Sequence, residues 1–77
     1  MRKSKDVEHF NIEVGNRIRE YRDKLGISQA KLAELVNMDS VSIYRIEKGE
    51  VTTSGYAVKK ISDALGISTD YLLGKVE

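Results

Sequence analysis

Residues 25–49 read LGISQAKLAELVNMDSVSIYRIEKG, and the rest of the chain is understood from them. Gly26 suits the stop of a preceding helix, because glycine takes the left-handed position past a helix end without a Cβ clash. Ser28 is placed to cap a helix over residues 29–36. Leu32, Leu35 and Val36, with Ala30 and Ala33, give that helix an apolar face. Asn37 suits a sharp turn, since Asn tolerates a left-handed backbone better than most residues. Asp39 or Ser40 then caps a second helix reaching about Lys48, and Gly49 ends it.

The second helix sorts its residues by angle. At about 100° per residue, Ile43 and Ile46 point one way, while Ser40, Val41, Tyr44, Arg45 and Lys48 cover most of the opposite side. The first group demands burial and the second faces out. The outward side mixes hydroxyl donors, an aromatic ring, two cations and one bare methyl-bearing side chain. That mixture matches what a helix in a DNA major groove needs: donors for base edges, an apolar tip for the thymine methyl, cations for phosphates.

The runs Ser28-Gln-Ala-Lys-Leu-Ala-Glu-Leu-Val36 and Ser42-Ile-Tyr-Arg-Ile-Glu-Lys-Gly49 resemble the helix-turn-helix of the phage repressor, Cro and XRE-like family. The resemblance extends upstream through Gly15-Asn16-Arg17-Ile18-Arg19-Glu20-Tyr21-Arg22 and downstream through residues 61–73 (ISDALGISTDYLL), covering about residues 12–74. It implies an all-α, five-helix, lambda-repressor-like domain whose second and third helices form the helix-turn-helix. It also implies a transcriptional regulator that binds double-stranded DNA as a homodimer. The chain departs from the family pattern at Asn37, where Gly is common, at Glu50 in a loop that is often basic, at Thr53 in place of Pro, and at Gly55 in place of an apolar residue.

Site residues follow from these two lines. Ser40 and Val41 open the third helix and approach bases first. Arg45 is the candidate to grip guanine, because its fork matches O6 and N7. Tyr44 completes the base-reading face and, with Lys48, is placed to meet sugar and phosphate. By the resemblance, Gln29 contacts the DNA backbone and buttresses the reading helix, with Ser28 beside it. Arg22 and Glu47 read as partly buried charges that need partners. The resemblance pairs them as an internal salt bridge.

Composition narrows the alternatives. Seventy-seven residues make one domain with a small core. The chain has no cysteine and one histidine, His9, so a thiolate metal site has no material to work with and His-based acid–base chemistry almost none. No cofactor and no catalytic constellation are expected. No apolar run approaches a membrane span, and nothing near Met1 reads as a signal peptide, which together suggest a cytoplasmic protein. Thirteen Lys/Arg against twelve Asp/Glu leave a net charge of +1, a weak basic excess for a phosphate binder. Two other readings stay open: an antitoxin-like protein of the same fold that also masks a toxin, and an interaction module that keeps the fold without binding DNA.

Outside the central stretch, Val14, Ile18, Tyr21 and Leu25 form the stripe of a first helix. Val7 and Phe10 continue it backwards to about Asp6, yet Asn11 is also a plausible cap, and the resemblance favours a start at Ile12. Residues 1–11 are therefore a tail or a helix extension, and 75–77 a tail. Gly15 inside the helix either admits a close backbone or is merely tolerated. Ser54 caps a fourth helix with the stripe Ala57, Val58, Ile61, Ala64 and Leu65. Ser68 caps a fifth through Leu73, with Gly66 and Gly74 as stops. The expected core is Ile18, Tyr21, Leu25, Leu32, Val36, Ile43, Ile46, Ile61, Leu65 and Leu72. Tyr71 to Leu73 either close that core or leave a patch for a second copy.

Overall fold

The computed structural model describes residues 5–74. They form α1 (Lys5–Leu25), α2 (Gln29–Leu35), α3 (Ser40–Glu47), α4 (Gly55–Leu65) and α5 (Thr69–Leu72), with no strand among the described residues. Nor is any described helix long and apolar enough to cross a membrane. Of residues 1–11, expected as a tail or a helix extension, 5–11 belong to α1 and 1–4 lie outside the described residues, as does the tail expected at 75–77.

Four helices start on the same local device. The side chains of Ser28, Asp39, Ser54 and Ser68 accept the backbone N–H of Lys31, Ser42, Ala57 and Tyr71, each three residues on. Each bond satisfies one of the amides left open in a helix's first turn. Asp39, rather than Ser40, caps α3. Between α2 and α3 the chain turns on Asn37, whose φ of 58° makes it the one non-glycine in the left-handed region among the described residues.

α1 departs from the expected start at Ile12. It runs back to Lys5, and Asn11 is a buried residue within it, 3% exposed, rather than a cap. Nothing between Asp6 and Asn11 breaks a helix, and Asp6 and Glu8 in the first turn complement its dipole. The apolar stripe therefore continues without interruption.

The core is built from Val14 and Ile18 of α1, Leu32, Ala33 and Val36 around α2, Ile43 and Ile46 of α3, Val58, Ile61 and Leu65 of α4, and Leu72 of α5. Two expected core positions differ, Leu25 and Tyr21, and so does Leu35 of the expected apolar face of α2. Leu25 falls within the buried arc of α1, yet it is 51% exposed, because the helix's last turn outruns the elements that cover it. Tyr21 is only partly buried, and its ring meets Tyr71 edge-on at 5.4 Å between centroids. Leu35 is 51% exposed; it lies off the Leu32/Ala33/Val36 face, beside Lys60 and Ala64 of α4.

α1 and α3 touch backbone to backbone. A Cβ at Gly15 would stand 2.5 Å from the Ile46 carbonyl oxygen and 2.6 Å from that of Glu47. Glycine at this point lets the C-terminal half of α3 lie directly on α1.

Gly15→Ala should therefore destabilise the fold by about 1–3 kcal/mol, the usual range for overpacking, although Ala is the better helix former. Gly55, in the first turn of α4, has open space where its Cβ would stand. Gly55→Ala should be neutral or stabilising by up to about 1 kcal/mol. Urea unfolding of the two variants measures the contrast; equal effects would mean that the α1–α3 approach does not govern Gly15.

Candidate nucleic-acid interface

α3 has one covered side and one open side. Ile43 and Ile46 are in the core, while Ser40, Val41, Tyr44, Arg45 and Lys48 are all exposed. Val41 is 64% exposed, so an apolar tip stands free at the centre of the face. Tyr44 lies beside it, with the Lys48 ammonium 5.9 Å from the ring centroid. The residues singled out in the sequence as Ser40, Val41, Tyr44, Arg45 and Lys48 thus share one surface.

The other side of α3 is anchored through Glu47. Its side chain is 3% exposed and that of Arg22 12%. Arg22 Nε donates to Glu47 Oε2 at 2.8 Å, and Arg22 Nη2 donates to Oε1 at 3.1 Å. The two parallel bonds match the guanidinium fork to the carboxylate. The hydrogen bond to Glu47 raises the Arg22 pKa above its already high ordinary value, against the opposing effect of burial. Arg22 Nη1 donates to the Ile27 carbonyl at 2.9 Å, which fixes the segment between α1 and α2.

Gln29 joins the same network. Its Nε2 donates to Glu47 Oε1 at 3.0 Å, so the side chain ties the start of α2 to the end of α3. The buttressing contact is present in the free protein. Ser28 is exposed next to it, and its oxygen is engaged as the cap of α2.

Asp39 is held as a capping carboxylate. Its Oδ1 accepts the Ser42 backbone N–H at 2.8 Å, and its Oδ2 accepts the Ser42 hydroxyl at 3.1 Å. The backbone bond first, then the hydroxyl, keeps its pKa below the usual aspartate range.

One partner was not anticipated from the sequence. Arg45 Nε donates to Glu50 Oε1 at 3.4 Å. In the sequence Glu50 stands out only as an acid in a loop that is often basic in the family it resembles. The available signal was its place immediately after the helix-ending Gly49, five residues from Arg45. A hollow of about 270 Å³ opens beside Arg45, between α3 and the loop into α4, and Met38, Ser42 and Thr53 are in its lining.

Comparisons with known proteins identify the family and the fold. A helix-turn-helix family pattern matches residues 18–72. The repressor protein C2 of Salmonella phage P22 is 42% identical over 60 residues, 78% of this chain and 28% of that protein. The transcriptional regulator ImmR of Bacillus subtilis is 33% identical over 66 residues, 86% of this chain and 52% of the regulator. The chain thus spans about half or less of the length of these relatives. The crystal structure of the P22 c2 repressor in complex with a synthetic operator is similar at a TM-score of 0.77 and 40% identity, covering 82% of this chain and 96% of that one.

Two measurements follow from the anchor and the cap. Arg22→Ala should cost about 3–5 kcal/mol, since it strands the buried Glu47 carboxylate, and Glu47→Ala should cost less, since Arg22 is only partly buried and keeps its bond to the Ile27 carbonyl. The double variant should lose less than the sum, and additive losses would show that the two side chains are not coupled. For Asp39, a lowered folded pKa means that the carboxylate cap contributes fully above the ordinary aspartate range and is lost as pH falls below it. Asp39→Asn keeps a capping oxygen that does not titrate. The melting-temperature gap between wild type and Asp39→Asn should therefore shift towards the variant in acid, and a constant gap would contradict the assignment.

Proposed function

The chain belongs to the helix-turn-helix family, and from that premise we propose that it is a double-stranded-DNA-binding transcriptional regulator, acting as a repressor, that reads the major groove with α3. The observation that carries the proposal is the open face of α3. Its inward side is fixed by Ile43, Ile46 and Glu47, and its outward side carries base-compatible donors, a methyl-bearing tip and cations. The operator-bound structure of a relative with 40% identity supports the same use of this fold.

In this reading Ser40, Val41, Tyr44 and Arg45 contact bases, with Val41 against a thymine methyl and Arg45 on guanine. Ser28, Gln29 and Lys48 set the position on the phosphate backbone. Gln29 does so while bonded to Glu47, so the backbone contact and the pose of α3 are mechanically linked. A module of this size buries little DNA surface, so two copies reading two half-sites about one helical turn apart supply the affinity. The protein acts by occupying DNA in the cytoplasm, with no catalytic step and no cofactor.

Arg45→Ala should cost about 1–3 kcal/mol on the preferred duplex and relax selectivity at one base pair. Lys48→Ala should weaken binding to all sequences alike and flatten the log–log salt slope by about one unit. Titrations of both variants on a selected and a random duplex across a salt series provide the check. Equal weakening of both duplexes by Arg45→Ala would remove Arg45 from the base readers, and salt-independent or absent wild-type binding would favour an interaction module.

A further inference from the structure

The end of α3 brings an acid onto the face proposed to read DNA. Gly49, with φ 76°, donates its N–H to the Ile46 carbonyl at 3.0 Å, and Glu50 donates its N–H to the Arg45 carbonyl at 3.0 Å. This pair of bonds is a Schellman motif. It folds the second residue past the cap back over the third-last residue of the helix, where an apolar contact is usual. Here those two positions hold Glu50 and Arg45, and the contact is the 3.4 Å ion pair at Nε.

The pair contributes little to stability. Its side chains are 54% and 49% exposed, where an ion pair gains little in high dielectric. A carboxylate close to DNA phosphates also repels them. Its effect lies in what it leaves Arg45 able to do. The contact engages Nε–H, and the outer edge formed by the two terminal nitrogens is the part of the guanidinium that matches guanine O6 and N7. Without Glu50, the guanidinium has the neighbouring hollow to turn into and any nearby phosphate to pair with.

We propose that Glu50 is a positioning residue that pre-orients Arg45 for a base and withholds it from phosphates, exchanging non-specific affinity for selectivity. This rests on the reading of α3 as the base-reading helix. Pre-orientation lowers the ordering cost on binding. Neutralisation by Glu50 keeps Arg45 from displacing counterions on random DNA.

The test uses Glu50→Ala in the wild-type and Arg45→Ala backgrounds. Binding is measured on a duplex selected by the wild-type protein from a random library, and on a random duplex, over a salt series. In the wild-type background Glu50→Ala should lower the selected-to-random affinity ratio by about tenfold, chiefly at the base pair that Arg45→Ala relaxes. It should tighten random-duplex binding and steepen its salt slope by about one unit, at an unchanged melting temperature. In the Arg45→Ala background the ratio should not respond to Glu50→Ala, while loss of the carboxylate's own repulsion should still tighten both duplexes alike. Glu50→Gln, which keeps an acceptor oxygen at the same reach, should restore part of the ratio. An unchanged ratio after Glu50→Ala, with Arg45→Ala still relaxing the preference, overturns this inference and leaves the proposed function standing. The same loss of ratio in both backgrounds overturns it too, because Glu50 would then act without Arg45. A wild-type protein that prefers no duplex overturns both.

Discussion

The Glu47 carboxylate is the point through which three helices are held in one relation. It accepts two bonds from Arg22 of α1 and one from Gln29 of α2, and it belongs to the last turn of α3. Arg22 adds a bond to the Ile27 carbonyl between α1 and α2. A buried ion pair of this kind is a poor source of net stability, since desolvation offsets much of the attraction. What it supplies is register. Both carboxylate oxygens are satisfied in this placement of α1, α2 and α3, and a shift that broke these bonds would leave a buried charge without partners.

Register matters here because the domain is small and has no covalent staple. The chain has no cysteine to close a disulfide. Its core draws one to three residues from each of five helices, and the two on either side of the central turn are eight residues or fewer. Such short helices are marginal alone and take their stability from packing. The direct backbone contact at Gly15 and the Glu47 network therefore do for α3 what its length cannot. They fix its C-terminal half, while Ile43 and Ile46 fix its roll.

A fixed roll turns a sequence pattern into a surface. Once Ile43 and Ile46 are inward, Val41, Tyr44, Arg45 and Lys48 have nowhere to point but outward. The face is chemically mixed rather than strongly basic, and Glu50 reduces its charge further. A surface of that kind is poor at gripping any phosphate chain and better at distinguishing one edge pattern from another. The weak net charge of +1, which on its own counts against a nucleic-acid binder, is compatible with selective rather than indiscriminate binding.

The sequence by itself determined what is local. Capping by Ser28, Ser54 and Ser68, the turn at Asn37 and the two sides of α3 depend on contacts within a few residues, so the pattern of residue types settles them. Its resemblance to a family suggested the Arg22–Glu47 pair, but the partners are twenty-five residues apart and periodicity alone has no means of joining them. Tertiary structure decided the rest. Leu25 and Leu35 look like core residues from their spacing, and they are exposed because burial depends on which neighbour covers a turn, not on the turn itself. Asn11 looks like a cap and lies inside a helix, because nothing before it breaks the helix and its side chain is buried rather than free to cap. Gly15 could have been merely tolerated, and the carbonyls of Ile46 and Glu47 give it its purpose. Local rules specify helices and faces, while the space between helices exists only after they have packed.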